Sequence, residues 1–160
     1  MRKVFLLTGF SNWGKTTLIK DLFGKSRFAI DKPHLYKGKP FCVIPQSNDD
    51  LGERGYISAH NKRISELQKH VNTTDYIFSA FCPTREPNND SSRIISSIYQ
   101  YDEVYLLLIL HKWCGHAKLM VPDITSYLGA HRNVKIHTIS SKTAGPSKLT
   151  ELQNVIAALL

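Results

Sequence analysis

The apolar run Val4-Phe5-Leu6-Leu7 leads into residues 9–17, GFSNWGKTT, whose spacing is G-x-x-x-x-G-K-T. Leu18, Ile19, Leu22 and Phe23 follow at helical intervals up to Gly24. A short apolar run bounded by turn residues predicts a buried strand, and the spacing beyond the loop predicts a helix with one apolar face. The loop between them has a definite chemistry. Gly9 and Gly14 let backbone N–H groups converge on a dense negative charge without Cβ obstruction, and the start of the helix adds its positive dipole end. Lys15 is spaced to reach the β- and γ-phosphates of a nucleoside triphosphate, and Thr16 to offer its hydroxyl to Mg²⁺. A polyanion site of this kind constrains the rest of the chain, because the loop must sit at the end of a central strand.

The remaining sequence keeps the same rhythm of short apolar runs and helix-period segments, the pattern of an α/β fold with a mainly parallel sheet. The Pro/Gly/Lys-rich stretch DKPHLYKGKP, residues 31–40, interrupts regular structure before a strand over Phe41-Cys42-Val43-Ile44. QSNDDLGERG, residues 46–55, reads as a polar, functional loop. Ile64, Leu67 and Val71 predict a helix, residues 75–82 a buried strand, and Ile94, Ile95 and Ile98 another helical stripe. EVYLLLIL, residues 103–110, is the most apolar segment and so a central strand. A short helix over residues 122–129 and a strand over residues 134–140 follow. Ser147 is a candidate cap for a closing helix with Leu149, Leu152, Ile156 and Leu159 on its buried face. No internal repeat or linker divides residues 1–160, which read as one domain.

Composition narrows the function classes. With 42% apolar residues in 160, the chain can bury a substantial core. No apolar run is long enough to span a bilayer and no signal-peptide core is present, so a cytoplasmic protein without a membrane partner is expected. The three cysteines, Cys42, Cys82 and Cys114, lack metal-binding or disulfide spacing and are expected as reduced thiols. A net charge of +8 permits RNA or another polyanion as a partner.

Three further stretches, in this order, carry a resemblance: DDLG at residues 49–52, with the spacing D-x-x-G; LLLILHKWCGHAK at residues 106–118; and ISSKTAGPSKLTELQNVIAALL at residues 139–160. Together with G-x-S-N-x-G-K-T-T-L, they resemble the small bacterial Ras-like GTPases of ribosome assembly and RNA modification. The resemblance implies the three-layer P-loop NTPase fold, with a six-stranded, mainly parallel sheet and helices on both faces. It also implies nucleotide contacts from Gly9, Ser11, Asn12, Trp13, Gly14, Lys15, Thr16 and Thr17, a magnesium site at Thr16 and Asp49, and a γ-phosphate contact at Gly52. Glu53 takes the place where the family often has the glutamine that positions water. Lys112 would lie along the base, and Ser141 and Lys142 would stand for the family's S-A-K loop.

The departures redirect the expectation. The family's N-K-x-D reads His111-Lys112-Trp113-Cys114, and a thiol accepts hydrogen bonds weakly where an aspartate would hold guanine. Relaxed selection between GTP and ATP is therefore expected of an NTPase. Two alternatives remain. One is a small kinase in which residues 46–54 bind an acceptor. The other is a nucleotide-binding module without turnover. The H-x-x-C-x-H group of His111, Cys114 and His116 has zinc-type donors but too little separation for a closed site.

Overall fold

The computed structural model describes residues 1–112, 120–142 and 146–160. Its elements in chain order are β1 (Lys3–Thr8), α1 (Lys15–Phe23), β2 (His34–Tyr36), β3 (Lys39–Ile44), α2 (Asn48–Gln68), β4 (Tyr76–Phe81), β5 (Arg85–Glu86), β6 (Asn89–Asp90), α3 (Ser91–Ile98), β7 (Glu103–Ile109), α4 (Val121–Leu128), β8 (Val134–Ile139) and α5 (Pro146–Leu159). Six strands form one sheet in the order β2-β3-β4-β1-β7-β8. Only β2 runs antiparallel, against β3; the other pairs are parallel. The fold is therefore α/β, with a mainly parallel six-stranded sheet flanked by helices.

The order of strands also places the helices. The crossover from β1 to β3 runs in the opposite direction along the sheet from those leading to β4, β7 and β8. With right-handed connections throughout, α1 lies on one face and α2, α3 and α4 on the other. The packing agrees: α1 contacts α5, while α3 contacts both α2 and α4. Buried on both faces, β1 and β7 are nearly continuous apolar strands, with Val4 to Leu7 and Val104 to Ile109 almost fully shielded from solvent. Phe5 stacks against Phe78 on one side and Tyr105 on the other, knitting β4, β1 and β7 together. Among the described residues, no helix is long and apolar enough to cross a membrane.

Three segments differ from the sequence expectation. The stretch 31–40 contains β2 and its hairpin to β3, turned at Lys37 and Gly38, where both φ values are positive (49° and 75°). That geometry suits the twist of an antiparallel pair. The polar stretch 46–55 is largely helical, since α2 begins at Asn48, capped by Ser47. Its polarity hides the helix, because Leu51 is the one apolar side chain in its first turn, half-buried against the core. Gly52, at φ 72° and ψ 170°, breaks the helix early, in a conformation open to glycine and costly to other residues. Lastly, Ser147 lies inside the first turn of α5 rather than capping it.

Candidate functional site

The loop after β1 is anchored before it turns. Gly9 N–H donates to the Phe81 carbonyl of β4 at 3.1 Å, and Trp13 N–H to Phe10 O at 3.3 Å. Two residues turn the chain into α1 through left-handed conformations, Asn12 (φ 63°) and Gly14 (φ 80°). Gly14 is therefore the glycine that the backbone requires. At Gly9 an added Cβ would only touch Trp13 and Ile109 at ordinary distances of 3.5 and 3.7 Å. Trp13 is buried and packs edge-on against Phe10, so it braces the loop from within.

Lys15, the first residue of α1, is buried and donates to the Gly9 and Phe10 carbonyls, the latter at 3.0 Å. Burial pushes its ammonium pKa down, while the nearby charges of Asp50 and Asp49 act in the opposite sense. Thr16 Oγ1 donates to the Pro45 carbonyl just past β3 at 3.1 Å, which ties the loop to the next functional segment.

That segment is the start of α2. Ser47 and Asp50 form a capping box: Asp49 N–H donates to Ser47 Oγ at 3.2 Å, and Ser47 N–H to Asp50 Oδ2 at 3.1 Å. Asn48 is fully buried and acts as the bolt. Its Oδ1 accepts from Cys82 N–H at 2.7 Å, and its amide donates to Cys82 O at 3.0 Å and to Thr84 and Asn89, both at 3.1 Å. The first turn of α2 is thus fixed to the end of β4, the strand beside β1. A cavity of about 530 Å³ lies between these parts. Ser11, Asn12, Trp13, Gly14, Lys15, Thr16, Thr17 and Leu18 line it, with Asp21, Ser47, Asp50 and Lys148.

The structure brings some expected site residues together and not others. The loop residues from Ser11 to Thr17 all line the cavity, whereas Gly9 lies beneath it as an acceptor for Lys15. On α2, Asp50 lines the cavity and Asp49 does not. Gly52 and Glu53 line a different cavity of about 590 Å³, together with Leu51, Arg54, Gly55, Pro87, Asn88 and Arg93. There Glu53 is fully engaged: Arg93 grips it at 2.6 and 2.8 Å, and Asp90 N–H donates to it at 2.8 Å. Ser141 N–H donates to Glu151 at 2.9 Å, and its hydroxyl meets that of Ser147 at 3.1 Å. Lys142 is exposed and Lys112 half-buried, and neither lines the cavity. Trp113, Cys114 and His116 lie outside the described residues, so the base motif and the zinc-type group are not placed.

The hydrogen bond and charge of Arg93 hold the Glu53 carboxyl below its ordinary range. Its folded-state pKa therefore lies under the unfolded one. The resulting stabilisation is present above the ordinary carboxylate range and is lost as pH falls through the depressed folded value. An NMR titration of Glu53 should show its midpoint rising toward that of an ordinary glutamate in Arg93→Met; an unmoved midpoint would show that the pair does not control it.

Two cavity residues escaped the sequence reading. Lys148 is 2% exposed and donates to the His111 carbonyl beyond β7 at 2.9 Å. Burial pushes its pKa down. The signal was present, since Lys148 begins the buried row that continues through Leu152 and Ile156. A lysine on the core stripe of a helix calls for an acceptor. Asp21, one turn beyond Thr17 on α1, gave no signal because its neighbours in sequence are ordinary helix residues.

No family model matches the chain, and no curated protein does. Among solved structures it is similar to a shikimate kinase from Bacteroides thetaiotaomicron, determined at 1.7 Å, at 15% sequence identity and a TM-score of 0.27, covering 98% of this chain and 76% of that one. A likeness this distant says nothing about chemistry, which has to come from the cavity itself.

Proposed function

We propose that this chain binds a nucleoside triphosphate, GTP or ATP, with Mg²⁺ and hydrolyses it slowly. The observation that carries the reading is the meeting, in one cavity, of the glycine-turned loop, Lys15 and Thr16 with Ser47 and Asp50 from α2. The loop N–H groups and the N-terminus of α1 receive the phosphates. Lys15, already desolvated, neutralises charge on the β- and γ-oxygens, where a charge-assisted hydrogen bond is strongest. The donor set fits Mg²⁺, which takes hard oxygen ligands and keeps several waters. Thr16 and Ser47 offer hydroxyls, and Asp50 a carboxylate whose Oδ1 has no hydrogen-bond partner among the described residues. When bound, the ion would offset the negative charge shared by the β- and γ-phosphates. Asp49, the next carboxylate on the same turn, would support that charge from further out.

Slow turnover follows from Glu53. Its two oxygens are held by Arg93 and Asp90, so it does not orient a water at the cavity of Lys15. The test is phosphate release from GTP and ATP by the purified chain, with and without Mg²⁺. Slow, Mg²⁺-dependent release is expected, and failure of every triphosphate to bind would end the reading. Binding without release would instead make the chain a nucleotide-binding module.

A second reading, phosphoryl transfer to a small acceptor, is favoured by one observation. Consecutive residues of α2 line the two cavities, Asp50 the first and Leu51 to Gly55, Arg54 among them, the second, which also holds Arg93. Appearance of the γ-phosphate on an added acceptor, in place of free phosphate, would select this reading.

A further inference from the structure

The chain's positive charge is not spread evenly. Residues 25–39 hold five basic side chains, Lys25, Arg27, Lys32, Lys37 and Lys39, against one acidic residue, Asp31, and so carry half of the net charge of +8. The fold gathers them at one corner. β1 and β3 begin level with each other, since Lys3 and Phe41 both pair with Tyr76, so the hairpin turn at Lys37 and Gly38 lies beyond the end of the sheet opposite the Lys15 loop. α1 runs back from that loop to the same end, where Phe23 packs edge-on against Tyr36 of β2 at 6.0 Å and Lys25 follows. Arg27 precedes Phe28, whose ring meets both Phe23 and His34. Burial pushes the His34 pKa down, and the charges of Lys25, Arg63 and Lys32 act in the same sense, which places Lys25 and Lys32 near β2. Lys37 and Lys39 stand over the rings of Tyr36 and Tyr76, at 6.0 and 5.9 Å.

All five cations are exposed, and none belongs to an ion pair among the described residues. Like charges left unpaired at one corner repel, and an outside anion relieves that cost. Lysine also guards exposed sheet edges, but Lys25, Arg27 and Lys32 lie outside β2 and β3, so edge protection accounts for only two of the five.

We propose that this corner holds a nucleic-acid strand by its phosphates. The partner follows from what the patch contains and what it lacks. Protein interfaces are built around apolar and aromatic anchors and are poor in lysine, and a lipid surface takes up several apolar side chains. Within residues 25–39, Leu35 is the one exposed large apolar side chain, while Tyr36 is half-buried against Phe23. Phosphates repeating once per nucleotide suit a group of flexible ammoniums that demand no fixed geometry. Because the corner and the Lys15 cavity lie at opposite ends of the sheet, strand and triphosphate bind independently.

Fluorescence anisotropy of the full chain with a labelled, mixed-sequence single strand of about 20 nucleotides tests the proposal. Contacts to four or five phosphates predict that log K falls with log salt at a slope of about −3, a loss of roughly sixtyfold between about 50 and 200 mM salt. Lys37→Gln with Lys39→Gln should flatten the slope by about 1.4, and Lys25→Gln with Lys32→Gln by a similar amount, so the outcome does not hang on the hairpin alone. Arg132→Gln with Lys135→Gln removes the same charge at β8, the other edge of the sheet, and should leave the slope unchanged. Equal losses in that control and in the corner variants would reduce the effect to net charge and overturn the proposal. So would failure to bind the strand at about 50 mM salt, or binding to phosphatidylserine vesicles in its place. Lys15→Ala should bind the strand as the wild type does; weaker binding there puts the strand's phosphates in the triphosphate cavity and also overturns the proposal.

Discussion

Lys15→Ala is expected to lower nucleoside-triphosphate affinity by about a hundredfold or more and to abolish phosphate release. The magnitude follows from what the side chain does. Truncating one partner of a buried, hydrogen-bonded charge pair costs about 2–5 kcal/mol, because the phosphate charge is left without its counterion in a desolvated site. Every 1.4 kcal/mol or so is tenfold in affinity. Lys15 is already buried against the Gly9 and Phe10 carbonyls, so little further ordering is needed when phosphate arrives. Titration with GTP and ATP, paired with circular dichroism to confirm the fold, measures the effect. An affinity within about threefold of wild type would mean that the ammonium does not meet the phosphates.

The second large effect is expected at a buried side chain that does not itself line the cavity. Asn48→Ala should destabilise the protein by about 3 kcal/mol, since it removes hydrogen bonds from buried groups and each orphaned group costs about 1–3 kcal/mol. The losses are specific: Cys82 N–H and Cys82 O both lose their Asn48 partner, and Asn89 Oδ1 and Thr84 Oγ1 each lose the donor that the Asn48 amide supplied. Urea unfolding monitored by tryptophan fluorescence would report it. A loss below about 1 kcal/mol would show that the network relaxes around the gap. The same variant carries a functional consequence. Asn48 sets the first turn of α2 against β4, and Asp50 stands in the cavity only because that turn is fixed. The Mg²⁺ dependence of nucleotide binding should weaken together with stability.

Much of the fold was legible because its strongest signals are local. The run from Val4 to Leu7 and the stripe from Leu18 to Phe23 needed no long-range information, and the apolar segment after Glu103 could only be an interior strand. Less legible were the elements whose side chains face solvent or a cavity. β2 lies within a Pro/Gly/Lys-rich stretch, and the β5–β6 ribbon turns through Pro87 and Asn88 with few apolar residues to mark it. The first turn of α2 reads as loop for the same reason, although Ser47 and Asp50 have the spacing of a capping box, S-x-x-D. Lys148 was hidden in a different way, as a polar residue on an apolar row.

Taken alone, the amino-acid sequence determined the strand, the loop and the helix around Lys15, and with them the expectation of a phosphate ligand. Those features depend on residues within one short segment, where glycine conformations and side-chain periodicity decide the outcome. Tertiary structure alone decided the rest of the site. It inserted β4 between β1 and β3, turned Asp50 rather than Asp49 into the cavity, engaged Glu53 with Arg93, and brought Lys148 of α5 to the cavity of Lys15. These outcomes depend on pairings between segments distant in sequence. Their energies come from burial and hydrogen bonding across the sheet, which no local pattern records.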